Sequence, residues 1–204
     1  TYFLRINQRG GIQSFYETGN RLVYSSIQDY YDWLSRLNIF SENINNFIEI
    51  NKEGLLKGIT QPNIITESVI VQIDAIIDSE IDKNPYMKVF MEADSNLMSK
   101  TEKDELVIKA KEIVNNKIIP AYINLNNFLK NQYLPNSRNS IGISDVPGGK
   151  EYYEYLAKFY TTTDLTPDQI HEIGLDEIKR IRSEMEAIIK EVNWDGDFNS
   201  FLNY

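Results

Sequence analysis

One histidine occurs in the chain, His171, and Glu172 follows it. A helical zinc peptidase opens its metal motif with this pair. It completes the motif with a second histidine one helical turn later, and the glutamate activates water. Here Ile173, Gly174 and Leu175 follow instead, and the second histidine is missing. His171 then reads in two ways. It is a structural or surface residue in a helix's first turn, or a polar group reaching into a cleft built with other segments. Gly148-Gly149-Lys150 precedes a helix and superficially suggests phosphate binding. A phosphate loop needs a longer glycine frame and a Ser or Thr after the lysine. Glu151 stands there and puts a negative charge where phosphate would sit. The segment reads as a turn, whose backbone amides could still hold a carboxylate or a carbonyl.

Tyr152, Tyr153, Tyr155, Phe159 and Tyr160 crowd one short helical stretch. They cannot all face inward. Either they form a core stripe with hydrogen-bonded phenols, or they line a cleft that presents hydroxyls to a ligand. Carboxylates are plentiful, as in Glu151, Glu154, Asp176, Glu177, Glu184 and Glu186. At helical spacing beside Lys179, Arg180 and Arg182 they read as a solvated, salt-bridged face. No two of them stand out as an acid/base pair. Thr161-Thr162-Thr163-Asp164 has no base beside it and reads as a loop before a helix cap.

These groups must be positioned by helices. Residues 1–25 are irregular, an arm packed by Phe3, Ile6, Ile12 and Phe15. Ile27, Tyr30, Tyr31, Leu34 and Leu37 recur at helical spacing, and Ile44, Phe47, Ile48, Leu55 and Ile59 form a second stripe. Gly58 is placed to end that run, with Pro62 soon after. A third helix is predicted from Pro62 to near Ser79, and a short one from Tyr86 to Met91. Ser99 and Glu102 form a capping box ahead of a long helix towards Tyr133. Pro120 inside it predicts a kink or a junction of two helices. Ile141, Ile143 and Val146 predict a short strand. Thr166, Pro167 and Gln169 form the best helix start in the chain. A helix of about 26 residues is predicted from there, with Ile170, Ile173, Ile178, Ile181, Met185, Ile188 and Ile189 inward. The expected fold is all-α, an irregular multi-helix array with one short extended segment near 141–146. Residues 1–204 are expected to form a single helical region.

Composition limits the function. A chain of 204 residues, 42% hydrophobic and 25% charged, buries roughly 70% of its unfolded surface and needs no covalent staple. The absence of cysteine excludes disulfides, cysteine zinc sites, iron–sulfur clusters and thiol nucleophiles. The balance of 21 basic and 30 acidic residues, net −9, makes nucleic acid and anionic membranes poor partners. No apolar run approaches the ~20 residues of a membrane span. The first residues carry no signal-peptide core. With no initiator Met, a removed export signal stays open.

Two stretches carry a resemblance to a known family. One is Gly142-Ile143-Ser144-Asp145-Val146-Pro147-Gly148-Gly149-Lys150-Glu151-Tyr152-Tyr153. The other is Thr161-Thr162-Thr163-Asp164-Leu165-Thr166-Pro167-Asp168-Gln169-Ile170-His171-Glu172-Ile173-Gly174-Leu175, followed by a helix over Glu177–Met185. Both resemble the bacterial "domain of unknown function 885" family. Upstream, Ile6–Phe15 and Gly54–Pro62 fit the same pattern in the same order. The resemblance implies a helical zinc metallopeptidase-like protein of the carboxypeptidase Taq and oligopeptidase kind, often exported, periplasmic or lipid-anchored, and longer than this chain. The family's zinc motif lies downstream of the matched region. No catalytic residue and no metal ligand are therefore carried over, and no cofactor is assigned to this chain. Zinc would belong to a longer parent protein. Lys150, Tyr152, Tyr153 and His171 match pattern positions and are the candidate substrate-binding residues.

The expectation is an N-terminal helical portion of such a protein, one wall of a peptide cleft and catalytically incomplete alone. Its partners would be a peptide substrate and the remaining C-terminal part of the parent protein. An exposed apolar surface could also support a homodimer. The alternative is a non-catalytic helical module that binds a peptide or small ligand.

Overall fold

Phe15 anchors the irregular opening segment. Its ring stacks on Phe40 and on Trp33, with centroids 4.3 and 5.4 Å apart. The structure is a computed structural model that describes residues 2–203. Its contacts divide the chain into two units, Thr1–Gly142 and Ile143–Tyr204.

In the first unit the arm turns through Ile12–Ser14 into a short helix α1, Tyr16–Arg21. Helix α2 covers Ile27–Leu56. The Asp29 carboxylate starts it by accepting from the N–H groups of Ser25 and Ser26, each at 2.8 Å. Those bonds hold the Asp29 carboxyl below its ordinary range and satisfy donors that the helix leaves open. The two apolar stripes of the sequence join into one buried face: Tyr30, Trp33, Leu37, Phe40, Ile44 and Phe47. Gly58 ends the run in the left-handed region, at φ 67°. There Ile59 N–H reaches Gly54 O at 2.9 Å and Gly58 N–H reaches Leu55 O at 3.1 Å. This paired closure needs a positive φ that glycine adopts without strain.

Helix α3 covers Asn63–Ile77 and α4 covers Lys88–Met91. Helix α5, Lys100–Ile113, begins at the expected box: Ser99 N–H donates to Glu102 at 2.7 Å, and Glu102 N–H donates to Ser99 Oγ at 3.3 Å. Beyond α5 the rod widens into a π-helical turn at Val114–Ile118. It continues as α6, Ile119–Phe128, and widens again at Leu129–Tyr133. The irregularity expected at Pro120 is thus a wide turn just before it. Proline offers no N–H and crowds the carbonyl one turn back, and a π turn is one of the few ways to absorb that in a continuing helix. Helices α2, α3 and α6 enclose the core, in which Leu37, Ile44, Ile73, Leu106, Tyr122 and Leu125 are sealed from solvent.

In the second unit, helix α7 covers Gly149–Thr161, α8 covers Pro167–Glu191 and α9 covers Phe198–Leu202. Thr166 and Gln169 make the predicted reciprocal cap of α8, with N···O distances of 2.8 and 3.2 Å. The fold is all-α, with no strand among the described residues. Two expectations fail. First, no strand forms near 141–146. Ile143–Asp145 is a 3₁₀ turn, and Ile141 is exposed. Arg138 explains the preceding loop: its guanidinium donates to the carbonyls of Thr60, Ser140 and Gly142. Acceptors that a partner strand would have taken are already satisfied. Second, the residues of α8 expected inward are mostly outward. Ile189 is buried, but Ile173 is 50% exposed and Ile178 65%. The short helices around α8 in its own unit are too small to cover its apolar stripe.

Candidate functional site

The second unit holds the residues that the motif pattern singled out. The 3₁₀ turn Ile143–Asp145 folds back on the first turn of α7, where Val146 is buried and Gly149 N–H bonds Val146 O at 2.8 Å. A Cβ on Gly149 would lie 1.8 Å from the Ile143 carbonyl oxygen. Only glycine permits that approach. Gly148 precedes it at φ 70°. The Gly-Gly pair therefore builds a tight loop-to-helix junction, as the turn reading expects.

Lys150 and Tyr153 lie one helical turn apart on α7, while Tyr152 sits on a different side. Lys150 is exposed, Tyr152 half-buried and Tyr153 exposed. His171 is exposed in the early part of α8. No hydrogen bond, ion pair or ring contact joins these four side chains to one another among the described residues. They are presented, not assembled. The aromatic face of α7 is also open: Tyr155 and Phe159 stack with centroids 6.0 Å apart, and Phe159 meets Tyr160 edge-on at 5.2 Å. On α8, His171 shares a face with Ile178 and Met185 at helical spacing. This face is the exposed apolar stripe, so the histidine is a polar point at the edge of an oily strip.

Ion pairs run along the rest of α8 and border the stripe at Arg182. Arg180 bonds both Glu177 and Glu184 at 2.7 Å, and Arg182 bonds Glu186 at 2.6 Å. The guanidinium holds the Glu177 carboxyl below its ordinary range. These carboxylates are ion-paired and solvated, as the spacing implied. Arg182 also lies over the Phe198 ring at 3.4 Å and so fixes α9 against α8.

A zinc ion needs three or four nitrogen or oxygen donors converging on one point. No group of three or more His, Asp or Glu side chains is so placed among the described residues. The donors present among the described residues do not fit a zinc ion. No helix among the described residues is long and apolar enough to cross a membrane.

Comparison with known proteins adds the family. A crystal structure of a "putative lipoprotein" from Colwellia psychrerythraea matches with a TM-score of 0.84 at 23% sequence identity. The match covers 95% of this chain and 34% of that one. At that identity it shows a shared fold. The chain thus spans about a third of that protein's length. No curated relative matches the sequence. The family model described as "bacterial protein of unknown function (DUF885)" matches residues 4–204, so the chain belongs to that family.

Proposed function

We propose that this chain is the helical part of a longer, metallopeptidase-like protein, and that its second unit supplies one wall of a peptide-binding cleft. The observation that carries the reading is the open apolar face of α8, with Ile178 65%, Ile181 46% and Ile188 51% exposed. An amphipathic stripe of that length is normally covered in a folded protein. Further segments of a longer protein would cover part of it. The rest would border the cleft, where Lys150, Tyr152, Tyr153 and His171 offer an ammonium, two phenols and an imidazole to peptide carbonyls and carboxylates. Zinc and the water-activating base would come from outside these residues. The metallopeptidase character rests on the sequence resemblance. Export or lipid anchoring is supported by the description of the Colwellia psychrerythraea protein alone.

A second reading, a non-catalytic helical module for a peptide or small ligand, is favoured by the first unit's own core, in which residues from Ile6 to Tyr133 are buried together. Peptidase assays on the chain and on the longer protein, each with and without zinc, separate the two. The first reading expects hydrolysis only by the longer protein. Zinc-dependent hydrolysis by the 204 residues alone would sink it.

A further inference from the structure

The Ile6–Phe15 segment, assigned above only to packing, frames a pocket in the first unit. It encloses about 440 Å³ between the arm, α1, α3 and the turn before α4, a size typical of small-ligand sites. Two glutamines pin the arm to one wall. Gln13 is 2% exposed, and its Nε2 donates to Asn7 O at 2.8 Å and to Gln72 Oε1 at 2.7 Å. Gln72 in turn donates to Gln8 O at 3.0 Å. Gln13 Oε1 is buried with no partner among the described residues. Sinking an amide this deeply, with one of its atoms unsatisfied, is costly unless the shape it enforces is needed.

The enforced shape fixes the backbone at Arg9, whose exposed side chain borders the pocket. Its N–H donates to Asn7 Oδ1 at 2.9 Å and fixes the turn. Its guanidinium has no ion pair or hydrogen bond among the described residues. The other charges lining the pocket are already partnered: Glu17 with Arg21 at 2.5 Å, and Lys83 with Glu80 at 2.7 Å. The Lys83 pair is highly exposed and holds its ammonium only weakly. The charge left to a ligand is therefore cationic and has the planar fork that fits a carboxylate. Ser14 and the two glutamines give the lining further polar groups, and Ala75, Ile76 and Pro85 give it apolar ones.

We propose that this pocket binds a small carboxylate-bearing molecule, with Arg9 as its principal anchor and Lys83 and Ser14 as secondary donors. A ligand with a polar link and a short apolar group matches this mixed lining. The site is independent of the peptide cleft suggested for the second unit.

The test is a titration of the 204-residue chain with N-acetylalanine, followed by the backbone amide resonances in NMR. Saturable shifts are expected at residues 9–14 and at Gln72. Arg9→Gln should weaken binding about tenfold or more. Lys83→Gln should weaken it about two- to threefold, because its ammonium is exposed. N-acetylalaninamide, the neutral isostere, should bind about tenfold more weakly than the acid. Arg9→Lys keeps the charge and loses the fork, and serves if Arg9→Gln fails to fold. No saturation by about 50 mM, equal binding by Arg9→Gln, or equal binding of the neutral amide overturns the proposal. So does saturation of the same amides by inorganic phosphate with N-acetylalanine silent.

Discussion

The hydroxyls of Tyr86 and Tyr122 lie 2.6 Å apart in the sealed core of the first unit. Tyr122 donates its only hydroxyl proton to the carbonyl of Ile12 at 2.9 Å. The proton between the two phenols must then come from Tyr86. The result is a directed chain from the turn before α4, through α6, to the arm.

That direction makes the two tyrosines unequal. Tyr122→Phe leaves the Tyr86 hydroxyl without its acceptor and the Ile12 carbonyl with only the N–H of Phe15, at 3.3 Å. Tyr86→Phe keeps the Tyr122–Ile12 bond. Orphaning a buried polar group costs about 1–3 kcal/mol, and 1 kcal/mol moves the Tm of a chain this size by about 2–4 °C. Thermal melts followed by circular dichroism should show the larger fall for Tyr122→Phe. Equal falls would mean that the chain of bonds does not run this way.

Burial pushes both phenols above the ordinary tyrosine range, and it pushes Tyr24 up to about 12. The folded state thus disfavours phenolate, while the unfolded chain ionises near pH 10. Stability from these groups is fully present below about pH 10 and is lost as pH rises through the folded values. Denaturant melts between pH 8 and 12 should be flat at first and then fall. A stability that rises above pH 10 would contradict the burial of these hydroxyls.

At Gly149 the contact with the Ile143 carbonyl leaves no room for a methyl group. Gly149→Ala should displace the Ile143–Asp145 turn and loosen the start of α7. Hydrogen exchange should accelerate at residues 143–152 while the core of α2 and α6 keeps its protection. Unchanged exchange at 143–152 would show that the junction has slack the geometry does not reveal.

Local chemistry is what the sequence displays best. Ser99, Gly58 and Thr166 could be read because a cap or a positive φ is decided within a few residues. The core face of α2 was legible for the same reason, since period is a local property. Ile141 to Val146 misled because β-branched residues look like a strand whether or not a partner is present. The guanidinium of Arg138 supplies the missing bonds, and nothing in the local pattern announces it. Gln13 is the clearest omission at a site. A glutamine in a polar arm carries no signal of burial, and its meaning depends on Gln72, far away in sequence. The α8 stripe was read correctly as amphipathic, but periodicity says which face is apolar and not what covers it.

That last point is open to a direct experiment at Ile178, whose side chain stands 65% exposed on α8. In the 204-residue chain, Ile178→Lys removes no packed neighbour and should change stability by less than about 0.5 kcal/mol. It should also lower dye binding and self-association, because it breaks up an apolar strip. If the face is covered in the longer protein, the same substitution there buries a charge in an apolar contact. The cost should then rise to several kcal/mol, or the ammonium should titrate far below its usual range. Parallel melts of the two proteins, each with and without the substitution, read the difference directly. A penalty that stays small in both would mean that this face of α8 meets water in the whole protein, and the cleft wall would have to be sought on the aromatic face of α7.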